Sequence, residues 1–132
     1  MDKIIDVHFP GGMKVGATMN GHEVITDLPT DEGGENSAPT PFDFFMISLA
    51  TCAGVYANRF CINHEIPTDG LSIKARCEMA DGKPRMERMV LDITLPDGFP
   101  EKLRKPLLRT VDQCTVKKNV LEAPEFAMEF TN

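Results

Sequence analysis

The run from Phe44 to Asn58, FFMISLATCAGVYAN, carries no charge: Asp43 precedes it and Arg59 follows it. It opens with a helix-start signature, in which Thr40 caps, Pro41 takes the first helical position and Asp43 stands three residues after the cap. Pro67 and Gly70 lie past its end. This spacing predicts a helix from about Pro41 to about His64. A helix resting on one face of a sheet needs a single apolar stripe. This one is apolar all round for nearly four turns, more than one small sheet covers. A second copy of the chain is the simplest cover, so the expectation is an intertwined homodimer with two such helices at its centre. The alternative is a monomer whose second helix covers the far side. The uncharged run is shorter than the roughly 20 residues of a bilayer span and includes Ser48, Thr51 and Asn58. It reads as a buried helix in a soluble protein.

The rest of the 132 residues fits one domain, 1–132, large enough to bury a core without disulfides. KIIDVHF and MKVGATM are separated by Pro10-Gly11-Gly12, and Asn20-Gly21 leads into HEVITD, a three-stranded meander. Residues 28–39, LPTDEGGENSAP, form a loop rich in Gly, Pro and acids. After the long helix, LSIKARCEM and MERMVLDITL alternate with period two and ADGKP joins them as a hairpin. A second helix is expected over 99–112, with Pro106 kinking or interrupting it. A short helix follows from Cys114 to about Leu121, and EFAMEF reads as a last strand. The order is βββ-α-ββ-α-α-β, an α+β fold.

The formal charge is −6, from 14 basic and 20 acidic residues, which argues against nucleic acid or an anionic membrane as the main partner. Lys102, Arg104, Lys105 and Arg109 are interleaved with leucines and read as the wet side of a helix. No basic leader or long apolar stretch opens the chain, so no export signal and a reducing, cytoplasmic compartment are expected. The four cysteines form no CxxC, and His8, His22 and His64 stand at no metal-ligand spacing from them, so neither metal nor cofactor is expected.

Chemistry is sought at two of the cysteines. Cys52 lies mid-helix between Ala50, Thr51, Ala53 and Gly54, small neighbours that leave room for a pocket. Cys114 follows VDQ and precedes TVKK. A helix starting there would set Cys114 at its positive end with Lys117 one turn on, both of which favour thiolate. The bland reading of either residue is a small buried hydrophobe. Cys61 is half a turn out of phase with Cys52 on the same helix, and Cys77 alternates into an apolar strand face. His64 reads as a helix C-terminal cation. Phe42, Phe45, Leu49 and Tyr56 read as core residues, one or two of them lining a pocket.

Two segments resemble the signatures of one family. SAPTPFDFFMISLATCAGVYANRFC is similar to the first signature of the OsmC/Ohr proteins, thiol-dependent reducers of organic hydroperoxides. LLRTVDQCTVKKNVLEAPEF is similar to the second, a Cys after a helix with a Cys-x-Val step. The order of strands and helices matches that family's fold across nearly the whole chain. The resemblance implies that Cys52 is the peroxidatic thiolate and Cys114 the resolving thiol, at a site lined by both chains of a dimer and reduced by an external dithiol. The family's hydroperoxide reductases also use an Arg that activates the thiolate and a Glu that holds the Arg. In this chain the matching positions are Lys14, in GGMKVG, and Asp43. Asp43 is equally an N3 capping residue. It lies about 13 Å along the helix from Cys52 and on the opposite face, so it would act on a Cys52 site from the partner chain.

Two functions follow as expectations. One is thiol-dependent reduction of small apolar organic hydroperoxides in oxidative stress defence. The other is a non-catalytic protein of the same fold that binds a small apolar ligand or acts as a slow thiol redox sensor.

Overall fold

The computed structural model describes every residue from Met1 to Asn132. The backbone divides into two compact units, Met1–Ile47 and Ser48–Asn132, and one long helix runs from the first into the second.

The first unit is an antiparallel meander of β1 (Asp6–Gly11), β2 (Lys14–Met19) and β3 (His22–Thr26), with β2 in the middle. Asn20 and Gly21 both have positive φ, 51° and 78°, and Met19 pairs with His22 across them. That is the two-residue turn whose twist matches antiparallel strands. Asp27 is buried at the end of β3 and organises the loop that follows. Its carboxylate accepts hydrogen bonds from the amides of Leu28, Glu35 and Ser37 at 2.8, 3.2 and 3.0 Å, and from the Ser37 hydroxyl at 2.6 Å. Its own amide donates to the Pro39 carbonyl, which closes the loop. Gly34 passes so near Leu28 that a Cβ on it would lie 2.0 Å from the Leu28 carbonyl oxygen, so only glycine fits. The loop of 28–39 is thus a hydrogen-bonded structure that also contains a 3-10 turn, Thr30–Glu32.

Helix α1 spans Pro41–Asn63. The expected capping box is present: the Asp43 amide donates to the Thr40 hydroxyl and the Thr40 amide to the Asp43 carboxylate, each at 3.0 Å. The helix ends with Glu65 at φ 56°, where the Ile66 amide reaches back to the Cys61 carbonyl and the Glu65 amide to that of Ile62.

The second unit packs the rest of α1 against a hairpin of β4 (Ser72–Met79) and β5 (Met86–Thr94), followed by α2 (Arg104–Val111) and α3 (Thr115–Leu121). Ala53, Ala57, Phe60 and Cys61 of α1 form the core with Phe99, Leu107 and Val111, flanked by Leu71, Ile73, Leu91 and Leu95. By length and composition α1 could cross a bilayer, but its buried face against α2 and the hairpin makes it the core helix of this unit. Helix α2 covers one side of it only, for Val55 and Ile62 remain 50% and 62% exposed.

Two expected elements differ. The second helix does not run unbroken over 99–112: residues Glu101–Leu103 form a 3-10 turn and the α-helix begins at Arg104. Pro106 has no amide to donate, and at the third position of α2 none is needed, so it marks the helix start and kinks nothing. The last strand, EFAMEF, is not paired. Residues 122–132 have no regular structure, and Phe126, Met128 and Phe130 are almost fully exposed. A strand needs a ladder partner for its amides and carbonyls, and this chain supplies none there.

The Ser37 hydroxyl and amide, with help from the Leu28 and Glu35 amides, hold the Asp27 carboxyl at about 2, against the upward push of burial. A carboxyl held below its unfolded value of 3.8 stabilises the fold fully above that value, and the contribution fades as pH falls toward 2. Hydrogen exchange at the Glu35 and Ser37 amides should therefore be slow and pH-insensitive in its protection above about pH 4, and lose protection in that acid window. Asp27→Asn should remove the protection at neutral pH; a fully protected loop in that variant would contradict this role.

Candidate active site

Cys52 sits in the middle of α1, half-buried, with its sulfur turned toward the start of α3. Cys114 is buried and caps α3, its sulfur accepting the Lys117 amide at 3.5 Å. The two thiols meet there. The Val116 amide, the Cys114 thiol and the Thr115 amide are the neighbours that act on the Cys52 thiol. α1 supplies one sulfur, and the junction between α2 and α3 supplies the other together with two aligned amides.

The pair is electrostatically asymmetric. Burial pushes the Cys52 thiol up, but the Val116 amide, the Cys114 thiol and the Thr115 amide together bring it below the ordinary thiol value. Cys114 moves the other way: burial pushes it up, and its hydrogen bond to Cys52 and the Cys52 charge add to that, outweighing the Lys117 and Val116 amides. This corrects the expectation that the start of α3 favours a Cys114 thiolate. The Lys117 and Val116 amides do favour a Cys114 thiolate, but burial and the neighbouring Cys52 outweigh them, while the Val116 and Thr115 amides bring Cys52 down. Cys61 is buried in the core, and burial raises its thiol.

A cavity of about 620 Å³ opens beside Cys114. Leu49, Ala53, Met89, Leu91, Ile93 and Val111 form apolar walls, and Arg109, Asp112 and Lys117 are the polar members of the lining. Lys117 is ion-paired with Asp112. Tyr56, one turn beyond Cys52, hydrogen-bonds the Thr115 hydroxyl at 2.8 Å, and the Arg59 guanidinium lies 5.5 Å from the centre of the Tyr56 ring.

The family model described as OsmC-like protein matches residues 34–129, which include both cysteines and all of α1, α2 and α3. The chain belongs to the OsmC-like family. No curated protein sequence matches it. Among solved structures it is similar to a Psychrobacter arcticus protein, provisionally described as an osmotic stress induced and detoxification response protein. That likeness has 26% identity and a TM-score of 0.74, over 87% of this chain and 85% of the other. The OsmC-like protein of Mycoplasma pneumoniae is 15% identical with a TM-score of 0.67, over 92% and 87% of the two chains. An organic hydroperoxide resistance protein from Legionella pneumophila is 16% identical with a TM-score of 0.58, over 91% and 89%. These last two likenesses concern the fold.

The remaining OsmC-like positions are engaged locally. Lys14 makes a 2.8 Å ion pair with Glu35, whose hydrogen bond and charge raise the ammonium above its ordinary value. Asp43 closes the capping box. Lys14 and Asp43 belong to the first unit, Cys52 and Cys114 to the second. The Cys77 strand position faces Met89 across the hairpin, and His64 stacks on Phe60 at 4.0 Å while its Nδ1 meets the Phe60 carbonyl. The donors on Cys52 are what residue-type reasoning missed. Backbone amides leave no mark in a sequence. Tyr56, which the sequence suggests as core, differs from a core aromatic only in its four-residue spacing from Cys52.

Proposed function

We propose that this OsmC-like protein reduces organic hydroperoxides with Cys52 as the peroxidatic thiolate and Cys114 as the resolving thiol. The observation that carries this reading is the meeting of half-buried Cys52 of α1 with buried Cys114 at the start of α3, in surroundings that lower the first thiol and raise the second. The thiolate is the nucleophile in such chemistry, and its sulfenic acid product needs a second cysteine nearby to condense with.

In the first step the Cys52 sulfur attacks the distal peroxide oxygen. The O–O bond breaks, the alkoxide takes one proton and leaves as the alcohol, and Cys52 becomes a sulfenic acid. In the second step the Cys114 sulfur attacks the Cys52 sulfur. The S–O bond breaks, water leaves with the Cys114 proton, and a disulfide remains. An external dithiol returns both cysteines to thiols by exchange and is itself oxidised to a disulfide. The apolar walls of the cavity beside Cys114 suit a hydroperoxide with an apolar body. The Legionella neighbour named for organic hydroperoxide resistance supports the same substrate class. Such a cycle belongs in a reducing compartment, which for this chain we take to be the cytoplasm.

The working form in this reading is a homodimer. Val55 and Ile62 of α1 and the alternating Phe126, Met128 and Phe130 leave apolar surface in water, which a second copy would cover. Lys14 and Asp43 act on Cys52 in this scheme only if the partner presents them there. One observation favours the alternative, a non-catalytic ligand-binding or redox-sensing protein: Lys14 is already occupied by Glu35, and lysine lacks the planar fork of the arginine it would replace.

Treatment with one equivalent of cumene hydroperoxide should join Cys52 and Cys114 in an intramolecular disulfide, read by mass spectrometry as the loss of two hydrogen atoms from that peptide pair. Cys114→Ser should stop at the Cys52 sulfenic acid and over-oxidise, and Cys52→Ser should be indifferent to peroxide. Four free thiols after treatment would leave the binding reading in place of the enzyme. Sedimentation at micromolar concentration should find a dimer; a stable folded monomer would remove the two-chain site.

A further inference from the structure

Helix α3 carries half of the thiol site on slender support. It is seven residues long, Thr115–Leu121, and none of its residues is buried. A helix that short is not stable in isolation, and without a buried face the hydrophobic contribution to its position is small. Its position must then rest largely on polar contacts. Lys117 pairs with Asp112, and the Asn119 amide group donates to the Thr115 carbonyl at 2.9 Å. Both contacts tie α3 to itself or to the end of α2. The side-chain contact that reaches α1 joins the Tyr56 and Thr115 hydroxyls at 2.8 Å.

Tyr56 and Cys52 are four residues apart, so they stand on one face of α1, one above the other. Both meet the same turn of α3: Tyr56 hydrogen-bonds the Thr115 hydroxyl at 2.8 Å, and the Thr115 and Val116 amides act on the Cys52 thiol. The Arg59 guanidinium, a further three residues on, rests 5.5 Å from the Tyr56 ring centre and limits the ring's freedom. Resting on the reading of Cys52 as the peroxidatic sulfur, we propose that Tyr56 is a positioning residue, whose hydroxyl pins Thr115 to α1 and so keeps the Thr115 and Val116 amides on the Cys52 sulfur. The same pin holds Cys114, the residue before Thr115, within reach for the condensation step. A site whose resolving thiol is carried on a weakly packed helix needs such a fastening, because each moment that Cys114 spends away exposes a sulfenic acid to a second peroxide.

The test reads the Cys52 pKa by alkylation against pH in the reduced protein without peroxide, with Cys61→Ala and Cys77→Ala leaving only Cys52 and Cys114 and the Cys52 adduct followed by peptide mass. Tyr56→Phe keeps the ring and removes the hydroxyl. It should raise the Cys52 pKa by about half to one unit and so lower its alkylation rate at neutral pH by about 3- to 10-fold, since one unit is tenfold in thiolate below the pKa. Thr115→Val should do the same from the other side of the bond, Thr115→Ser should leave the wild-type value, and Tyr56→Phe with Thr115→Val should be no worse than either alone. A merely structural tyrosine would lower the melting temperature and leave the Cys52 pKa where it was. An unchanged pKa in Tyr56→Phe and in Thr115→Val overturns the proposal. A raised pKa in both supports it whether or not the protein reacts with peroxide, so failure of the hydroperoxide reading is seen separately, as wild-type thiols that stay free after peroxide treatment.

Discussion

Three neighbours lower the Cys52 thiol: the Val116 amide, the Cys114 thiol and the Thr115 amide. The chemistry proposed for the protein depends on their outweighing the cost of burial. A thiolate in an apolar helix is otherwise unfavourable, and a buried cysteine without donors behaves as Cys61 does, with its thiol pushed up. What separates the two cysteines is their phase on α1. Cys61 faces Leu107 and Val111 in the core, whereas Cys52 faces the backbone of α3 as it begins. Much of the second unit can be read as support for that meeting. The buried face of α1 fixes the height of Cys52 against α2. The short link from Val111 to Thr115 then brings the amides of α3 round to it.

The donors that lower Cys52 are neutral, which bears on the arginine that the family resemblance leads one to look for. A guanidinium stabilises a thiolate through charge; aligned amides and a neighbouring thiol do so through short-range dipoles, and their effect depends more strongly on geometry. That places a premium on holding α3 still. In the proposed cycle Cys114 has a further part, that of resolving thiol, beside its effect on Cys52. It lowers the Cys52 thiol, and Cys52 in turn raises that of Cys114, so the two titrate apart.

Much of this architecture was legible in the residues, for physical reasons that differ by element. Thr40, Pro41 and Asp43 announce the start of α1 because capping is local chemistry, and the reciprocal bonds are present. The period-two alternation of β4 and β5 and the Asn20-Gly21 turn are equally local. The meeting of Cys52 with Cys114 was not legible in their spacing, because it depends on how α2 and α3 fold back on α1; there only the family resemblance pointed to it. The Cys114 thiol shifts up although the Lys117 and Val116 amides of a helix start act on it, because burial and the neighbouring Cys52 outweigh them, and both depend on tertiary packing. Residues 125–130 have the alternation of a strand, but alternation says nothing of where a ladder partner comes from. Pro106 was weighed as an interruption when it stands where a helix begins.

The proposed chemistry requires that the first turn of α3 make Cys52 the acidic thiol of the pair. Thiolate absorbance followed against pH in the ultraviolet, in protein where Cys61→Ala and Cys77→Ala leave only the pair, measures this directly. Two separated steps are predicted, the first below and the second above the ordinary thiol value. Cys52→Ser should abolish the first. Cys114→Ser, which keeps a donor, should preserve it, and Cys114→Ala, which removes the donor, should move it upward. A first step at or above the ordinary value, or one that survives in Cys52→Ser, would contradict the account.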